Sequence, residues 1–180
     1  RTTATIMFGH VDRYAHWAAH LIELRELQRR TRGITEFVPL PFVAREAPIY
    51  RRGQARMGPT AREAVLMHAI PRLVLAGLVD NIQASWVKLG TDGVATCLEA
   101  GANDLGGTLM HESITSAAGA SHGEGLPPSA IQRLIQHSGR RPMQRTTLYQ
   151  PVKAQPSNAS CEHIPLKPVS NARARKVQRI

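Results

Sequence analysis

The sequence is poor in the features that mark several large classes of protein. Only two of its 180 residues are cysteines and 4% are aromatic, which excludes a disulfide scaffold and favours a reducing, cytoplasmic location. No apolar run approaches the roughly 20 residues that span a membrane. The chain starts at Arg1, without a methionine and directly before a strand-like run, and shows no secretory signal. We therefore expect a cytoplasmic protein whose N-terminal part is missing.

Acidic residues are also scarce, and the basic excess is unevenly distributed. The chain has 23 Lys and Arg against 13 Asp and Glu, a formal net charge of +10. Half of this excess lies in residues 151–180, which hold six Lys or Arg and one acid. No aromatic side chain is interleaved with the basic run at 173–176, and no nucleic-acid motif is present. The pattern argues against a nucleic-acid partner, and a small basic binding module stays as an alternative function.

Strand-like and helical patterns alternate over the first 149 residues. The predicted strands cover residues 2–8, 34–38, 81–87 and 103–105. Asp12 is placed to cap the first helix, and Thr60 with Glu63 forms the capping box of the next. Pro71 lies inside that second helix and should kink or split it. The repeated order of strand, loop and helix predicts an α/β fold with a parallel sheet.

The polar content of two strands distinguishes between α/β architectures. Thr3 and Thr5 share one face of the first strand, and the third has a wholly polar face formed by Asn81, Gln83 and Ser85. A doubly wound sheet would bury these groups under helices, whereas a barrel lumen can hold them against water or a ligand. We therefore predict the C-terminal half of a (β/α) TIM-like barrel, about four βα units, with functional groups at the C-terminal strand ends.

The chain is predicted to have two parts. Residues 1–149 form the half-barrel. Residues 150–180 lack hydrophobic periodicity and are rich in proline and arginine, so we expect a disordered basic tail.

Five segments in this order resemble one family of radical enzymes. They are TTATIMFGH at 2–10, TEFVPLPF at 35–42, EAPIY at 46–50, NIQASWVKL at 81–89 and GANDLGGTLM at 101–110. The sequence resembles the radical S-adenosylmethionine enzymes of the deazaflavin (FO) synthase and aminofutalosine synthase group. The resemblance is greatest to the C-terminal part of the tyrosine hydroxyphenyl transferase module of FO synthase, with a related menaquinone-pathway enzyme as an alternative. His111 departs from the group, which often has a Glu there.

The resemblance implies a radical transfer carried out by a longer enzyme. In that group a 4Fe-4S cluster reduces S-adenosylmethionine, and the resulting radical fragments tyrosine, whose hydroxybenzyl group joins 5-amino-6-(D-ribitylamino)uracil. The implied partners are these two substrates, the missing N-terminal half and a cyclase module. The group binds its cluster through a three-cysteine motif that is absent here, since Cys97 falls in a helix and Cys161 in the tail. We expect the chain alone to be inactive.

Candidate ligand-binding residues lie mainly at the predicted C-terminal strand ends. Glu36, inside an apolar strand, needs either a ligand or a salt bridge with a loop arginine such as Arg45. The glycines before Thr108 would let backbone N–H groups approach a ligand. His16 and His20 have a metal-like i, i+4 spacing but no third ligand, so no metal site is predicted. The predicted binding residues are His10, Glu36, Ser85, Asn103, Gly106, Gly107 and Thr108.

For these residues structural alternatives stay open. His10 is either a ligand-binding imidazole or an exposed loop histidine, and Ser85 either faces a ligand or belongs to an internal polar network. The pattern assigns no catalytic residue.

Overall fold

The computed structural model describes residues 1–108, 113–122 and 125–152. His111 and most of the predicted tail lie outside the described residues, so the prediction of a disordered tail stays a prediction. The chain divides into two compact units, residues 1–142 and residues 143–180. Among the helices of the described residues, none is both long enough and apolar enough to cross a membrane.

Strands and helices alternate along the first unit, as predicted. The strands are β1 (Thr2–Phe8), β2 (Ile34–Pro41), β3 (Asn81–Ala84) and β4 (Asp104–Leu105). The helices are α1 (Tyr14–Thr31), α2 (Pro48–Arg51), α3 (Ala61–Val74), α4 (Trp86–Ala100), α5 (Ser113–Ala117) and α6 (Pro128–His137). The sheet has the order β1-β2-β3-β4, and every neighbouring pair is parallel. This confirms an α/β fold with a parallel sheet, and the sequential strand order is that of part of a barrel.

One face of the sheet carries the hydrophobic core. Ala4, Phe37 and Ile82 pack there with leucines of α1, and a second cluster surrounds α4. Phe8 of β1 packs edge-on against Trp17 of α1, with ring centroids 5.5 Å apart. The core thus lies between the sheet and its crossover helices, because successive strand residues point to opposite faces.

The opposite face is predominantly polar. The register aligns Thr3 with Glu36 and Glu36 with Asn81, and it aligns Gln83 with Asp104. We call this the polar face; it also carries the apolar side chains of Met7, Val38 and Leu40. Its defining residues are Thr3, Thr5, Glu36, Asn81, Gln83 and Asp104.

The predicted third strand is too long. β3 ends at Ala84, and Trp86 is the first residue of α4 rather than part of the strand. Trp86 is buried in the cluster around α4. An apolar side chain at this position fits the alternation of a strand as well as the buried side of a helix, so the sequence does not distinguish the two. α4 consists of two helical pieces, since Gly90 has φ 66° and ψ 179°.

Two predictions about helices α1 and α3 are also corrected. The split predicted at Pro71 is wrong, since α3 runs on to Val74, whereas the alternative of a kink stays a prediction. The proline is fully buried close to the helix end, so the helix loses only the bond that its missing N–H would have made. The N-cap of α1 is Arg13 rather than Asp12. The predicted capping box of Thr60 and Glu63 is confirmed.

Candidate functional site

The C-terminal ends of the four strands lie along one edge of the sheet, which we call the C-terminal edge. His10 follows β1, Phe42 follows β2 and Ser85 follows β3. The backbone N–H of Phe42 donates to the carbonyl of Phe8 at 2.8 Å, so the first two strand ends are tied together. Gly106, Gly107 and Thr108 follow β4 at the same edge.

Asp12 fixes the turn that follows β1. Its carboxylate accepts the backbone N–H groups of Gly9, at 2.8 and 3.1 Å, and of His10, at 2.7 Å. It also accepts the indole N–H of Trp17. Burial raises the pKa of Asp12, but the hydrogen bonds from Gly9, Trp17 and His10 outweigh it, so the pKa lies below its ordinary value. The carboxylate is therefore ionised and fully engaged at neutral pH.

Gly9 is required at this turn by both conformation and space. Its φ is +93°, and a Cβ atom there would lie 2.3 Å from the Pro59 ring. Only glycine fits such a position. The end of β1 thus packs directly against the loop that precedes α3.

Arg56 joins this turn to the start of α3. Its NH1 group lies 2.8 Å from both carboxylate oxygens of Glu63, and its NH2 group lies 3.7 Å from Asp12. Its backbone N–H donates to the carbonyl of His10 at 3.1 Å. Burial raises the pKa of Glu63, yet the Thr60 N–H and the Arg56 guanidinium bring it below its ordinary value. Arg56 therefore lies between two ionised carboxylates.

The His10 ring is held at the edge in one orientation. Its Nδ1 accepts the backbone N–H of Val11 at 2.6 Å, and its ring meets Phe42 edge-on at 5.7 Å between centroids. Nδ1 also lies 3.2 Å from Asp12, a contact that attracts only when Nδ1 carries a proton. We assign the acceptor role, because the Val11 contact is shorter and has hydrogen-bond geometry. Nε2 then carries the hydrogen of the neutral ring and can donate.

The third and fourth strand ends meet around Trp86. Its indole N–H donates to the carbonyl of Gly107 at 3.2 Å. Ser85 is buried as the N-cap of α4, and its side chain makes no capping hydrogen bond. Among the residues that the structure describes, none lies within 4 Å of a Cβ atom built at Gly107. Packing therefore does not require a glycine at 107, and the backbone there is open to a ligand.

Glu36 and Asn103 do not lie at the C-terminal edge. Glu36 is 4% exposed and comes five residues before the end of β2. Along the strand this is a distance of about 16 Å, at 3.3 Å per residue. Asn103 precedes β4, at the opposite edge. Its Oδ1 accepts from Ile82 N–H at 2.9 Å and from Arg72 at 2.6 Å. His10, Ser85 and residues 106–108 thus follow strand ends along one edge of the sheet, whereas Glu36 lies within β2 and Asn103 precedes β4.

The sequence does not reveal the ionic cluster at the end of β1. Asp12 had the signature of a helix cap, and Arg56 lies in an irregular loop whose path the sequence does not reveal. The only signal was indirect, since long loops in compact domains are commonly functional and this one carries several arginines.

The described residues do not fit a metal cluster. They contain no group of three or more His, Cys, Asp or Glu side chains that could hold a metal ion. Cys97 is 1% exposed, and burial raises its pKa to about 11, which disfavours the thiolate that iron requires. His16 accepts the Arg13 N–H at 3.3 Å, and burial lowers the pKa of His20.

A cleft of about 290 Å³ lies beside the C-terminal edge. It is bordered by the end of β2, the start of α3 and the first half of α4, and its wall is mostly apolar. Its lining includes Pro41, Phe42, Met57, Pro59, Leu89 and Cys97. Lys88 supplies a cationic side chain to this wall.

Comparison with known proteins gives one family and several close relatives. Residues 31–158 match the family model of the CofH/MqnC C-terminal region. The chain is 55% identical over 152 residues to the 5-amino-6-(D-ribitylamino)uracil–L-tyrosine 4-hydroxyphenyl transferase of Methanopyrus kandleri, covering 84% of the chain and 41% of that protein. The equivalent transferase of Methanocaldococcus jannaschii is 49% identical over 148 residues, which cover 82% of the chain and 41% of the relative.

FO synthases match the same part of the chain. That of Nocardia farcinica is 48% identical over 157 residues, which are 87% of this chain and 18% of the synthase. The chain therefore spans about two-fifths of the length of its transferase relatives and less than a fifth of that of the synthase.

Proposed function

Because the chain belongs to the CofH/MqnC C-terminal region family, we propose that it forms the C-terminal part of a radical S-adenosylmethionine transferase. The proposed reaction moves the hydroxybenzyl group of tyrosine to 5-amino-6-(D-ribitylamino)uracil, in the formation of a deazaflavin chromophore. Relatives that are 55% and 49% identical carry the name of this transferase. The related menaquinone-pathway reaction is the second candidate, because the family description joins both groups.

We propose that the polar face lines the lumen of a (β/α) barrel. The sequential order of four parallel strands supports this, as does the position of the core on the other face of the sheet. A separate N-terminal half would complete the barrel and hold the cluster, for which the residues described here supply no ligands. The chain alone would then bind ligands but not turn over. FO synthase relatives suggest a cyclase module as a further partner.

The observation that supports the site assignment is that His10, Ser85 and the 106–108 segment all follow the C-terminal ends of strands in one parallel sheet. In barrel enzymes this edge holds the ligands. We propose that His10 donates from Nε2 and that backbone N–H groups at 106–108 contact oxygen atoms of a ligand. Glu36 would act deeper in the lumen. Asn103 was also a candidate, but its amide is occupied by Ile82 and Arg72.

S-adenosylmethionine is the proposed source of the radical when bound in the longer enzyme. The open backbone at Gly107 and the donor at His10 fit its hydroxyl and carboxylate groups. This chain would then bind and orient the organic ligands, while other residues of the longer enzyme would hold the cluster.

Equilibrium binding to the 180-residue chain tests the proposal. The chain is titrated calorimetrically with tyrosine and, separately, with 5-amino-6-(D-ribitylamino)uracil. We expect binding of at least one of them, weakened roughly fivefold or more in His10→Leu through loss of one hydrogen bond. His137→Leu is the matched control, since this exposed histidine bonds only the carbonyl of Arg133 in its own helix. Binding of neither compound would overturn the proposed function.

A further inference from the structure

Gln83 occupies the centre of the polar face, between a buried carboxylate and the glycine loop. Its Nε2 donates to Oε1 of Glu36 at 3.2 Å. On its other side, a Cβ atom added to Gly106 would lie 3.4 Å from Gln83 Oε1. The side chain thus links the lower part of the face to the C-terminal edge.

The contact with Glu36 determines which way the amide points. In this contact the glutamine presents its NH₂ end, and an oxygen of the Glu36 carboxyl group accepts the hydrogen bond. The carbonyl oxygen Oε1 is therefore directed towards Gly106. Within the described part of the chain, no group donates a hydrogen bond to this oxygen, and it is not one of the buried side-chain atoms that lack a partner. It is therefore accessible to solvent or a ligand.

Gly106 leaves room for a ligand to reach that oxygen. A side chain at this position would sit between Oε1 and the Trp86 ring, from which its Cβ would lie 3.9 Å. The φ of Gly106 does not fall in the range that disfavours L residues. The missing side chain therefore provides space rather than a special backbone conformation.

We propose that Gln83 orients a substrate by accepting a hydrogen bond from one of its N–H or O–H groups at Oε1. This inference rests on the proposed function, because it requires a ligand on the polar face. Tyrosine and 5-amino-6-(D-ribitylamino)uracil both carry such donors, so the shared chemistry is the donor group. A purely internal polar network of Glu36 and Gln83 is the competing account, and it predicts an effect on stability alone.

The test is the binding of each substrate to Gln83→Met in the full chain. Methionine has a similar volume and no acceptor oxygen of this kind. We expect the affinity for one substrate to fall roughly five- to a hundredfold, because its donor group is left without a partner. The affinity for the other substrate should stay unchanged. The substrate that is affected identifies the donor. Gln28→Met is the matched control, because this buried glutamine of α1 bonds only backbone groups of Ile34 and Leu78 among the described residues. It should lower the melting temperature without changing affinity.

Glu36→Gln tests the orientation argument separately. This variant keeps a partner for Gln83 but allows its amide to turn, so affinity for the same substrate should fall although Gln83 is intact. A direct contact of Glu36 with the ligand would also lower affinity, and the double variant Glu36→Gln/Gln83→Met separates the two. If Glu36 acts by orienting Gln83, the double variant binds no more weakly than Gln83→Met alone. Circular dichroism confirms that each variant is folded. If the unmodified chain binds a substrate and folded Gln83→Met binds both equally well, the Gln83 inference is overturned and the proposed function stands. If the unmodified chain binds neither, both are overturned.

Discussion

The carboxylate of Asp12 accepts the backbone N–H of Gly9 with both oxygens, at 2.8 and 3.1 Å, across the turn that ends β1. Gly9 has φ +93° and lies against Pro59. The same carboxylate approaches Arg56, which is paired with Glu63 at the start of α3. One aspartate therefore couples the end of a strand, a loop and a helix start, and with them the position of His10.

Asp12→Asn should destabilise the fold markedly. The amide can present only one oxygen, so its NH₂ group opposes a backbone N–H and Arg56 loses a counter-charge. Loss of these charge-assisted bonds should cost about 2–3 kcal/mol, which for a unit of this size lowers Tm by roughly 5–10 °C. Thermal melting followed by circular dichroism measures this. Glu26→Gln, which breaks an exposed pair with Arg29, should change stability by less than about 0.5 kcal/mol; equal losses would contradict the role given to Asp12.

The free energy of unfolding should decrease in two separate pH ranges as the pH is lowered. Burial lowers the pKa of His20 and His68 from the ordinary value of 6.5, so the unfolded chain takes up protons first below that pH. Despite burial, the hydrogen bonds to Asp12 and Glu63 lower their pKa values from 3.8 and 4.5, so a second loss begins below about pH 5. Each contribution is complete above the unfolded pKa and lost as pH falls.

Urea unfolding between pH 7.5 and pH 3 resolves these two ranges. Glu63→Gln should reduce the loss of stability below about pH 5. It should leave unchanged the pH dependence of stability between pH 6.5 and pH 5. An unchanged acidic slope in that variant would show that the pairing with Arg56 does not persist in solution.

Gly90→Ala should destabilise the break in α4. At φ 66° and ψ 179° the backbone adopts a conformation that only glycine enters readily, and the new Cβ would lie 2.8 Å from the His122 ring. We expect a loss of about 1–3 kcal/mol in the free energy of unfolding. Gly53→Ala, at φ +69° with nothing within 4 Å, measures the conformational cost alone. A loss no larger than that of Gly53→Ala would mean that His122 is not held at this position.

Truncation after Tyr149 should leave the melting curve unchanged. The removed residues are rich in proline and basic side chains and have no hydrophobic periodicity, so they offer the core little to bury. A clear drop in melting temperature would show that they pack on the rest of the protein.

The sequence was sufficient to predict that four strands exist and that they have two different faces, but not that β2 continues beyond residue 38 to Pro41. β-branched alternation identified β1, and the polar residues of β3 indicated a face that is not part of the core. It was insufficient for the extent of β3, since Trp86 suits a strand and a helix start equally. The sequence suggested that Pro71 could split its helix, because the burial of this proline near the helix end depends on tertiary packing.

For the candidate site, the sequence predicts only which residues follow strand ends, and the binding roles stay a prediction. His10, Ser85 and residues 106–108 come directly after strands, and parallel strands bring such positions together. The depth of Glu36 depends on strand length and register, which its sequence neighbours do not reveal. The Asp12–Arg56–Glu63 cluster depends on a loop conformation that joins distant residues.

Product formation by a hybrid enzyme tests the central claim most directly. In the Methanocaldococcus jannaschii transferase, the segment that this chain matches at 49% identity is replaced by the corresponding residues of this chain. The hybrid is reconstituted with its cluster and S-adenosylmethionine, and product from tyrosine and 5-amino-6-(D-ribitylamino)uracil is quantified by mass spectrometry. The account predicts that the hybrid forms the same product as the unmodified transferase, and that His10→Leu lowers its yield while His137→Leu does not. A folded, cluster-loaded hybrid that consumes S-adenosylmethionine but forms no transfer product would contradict it.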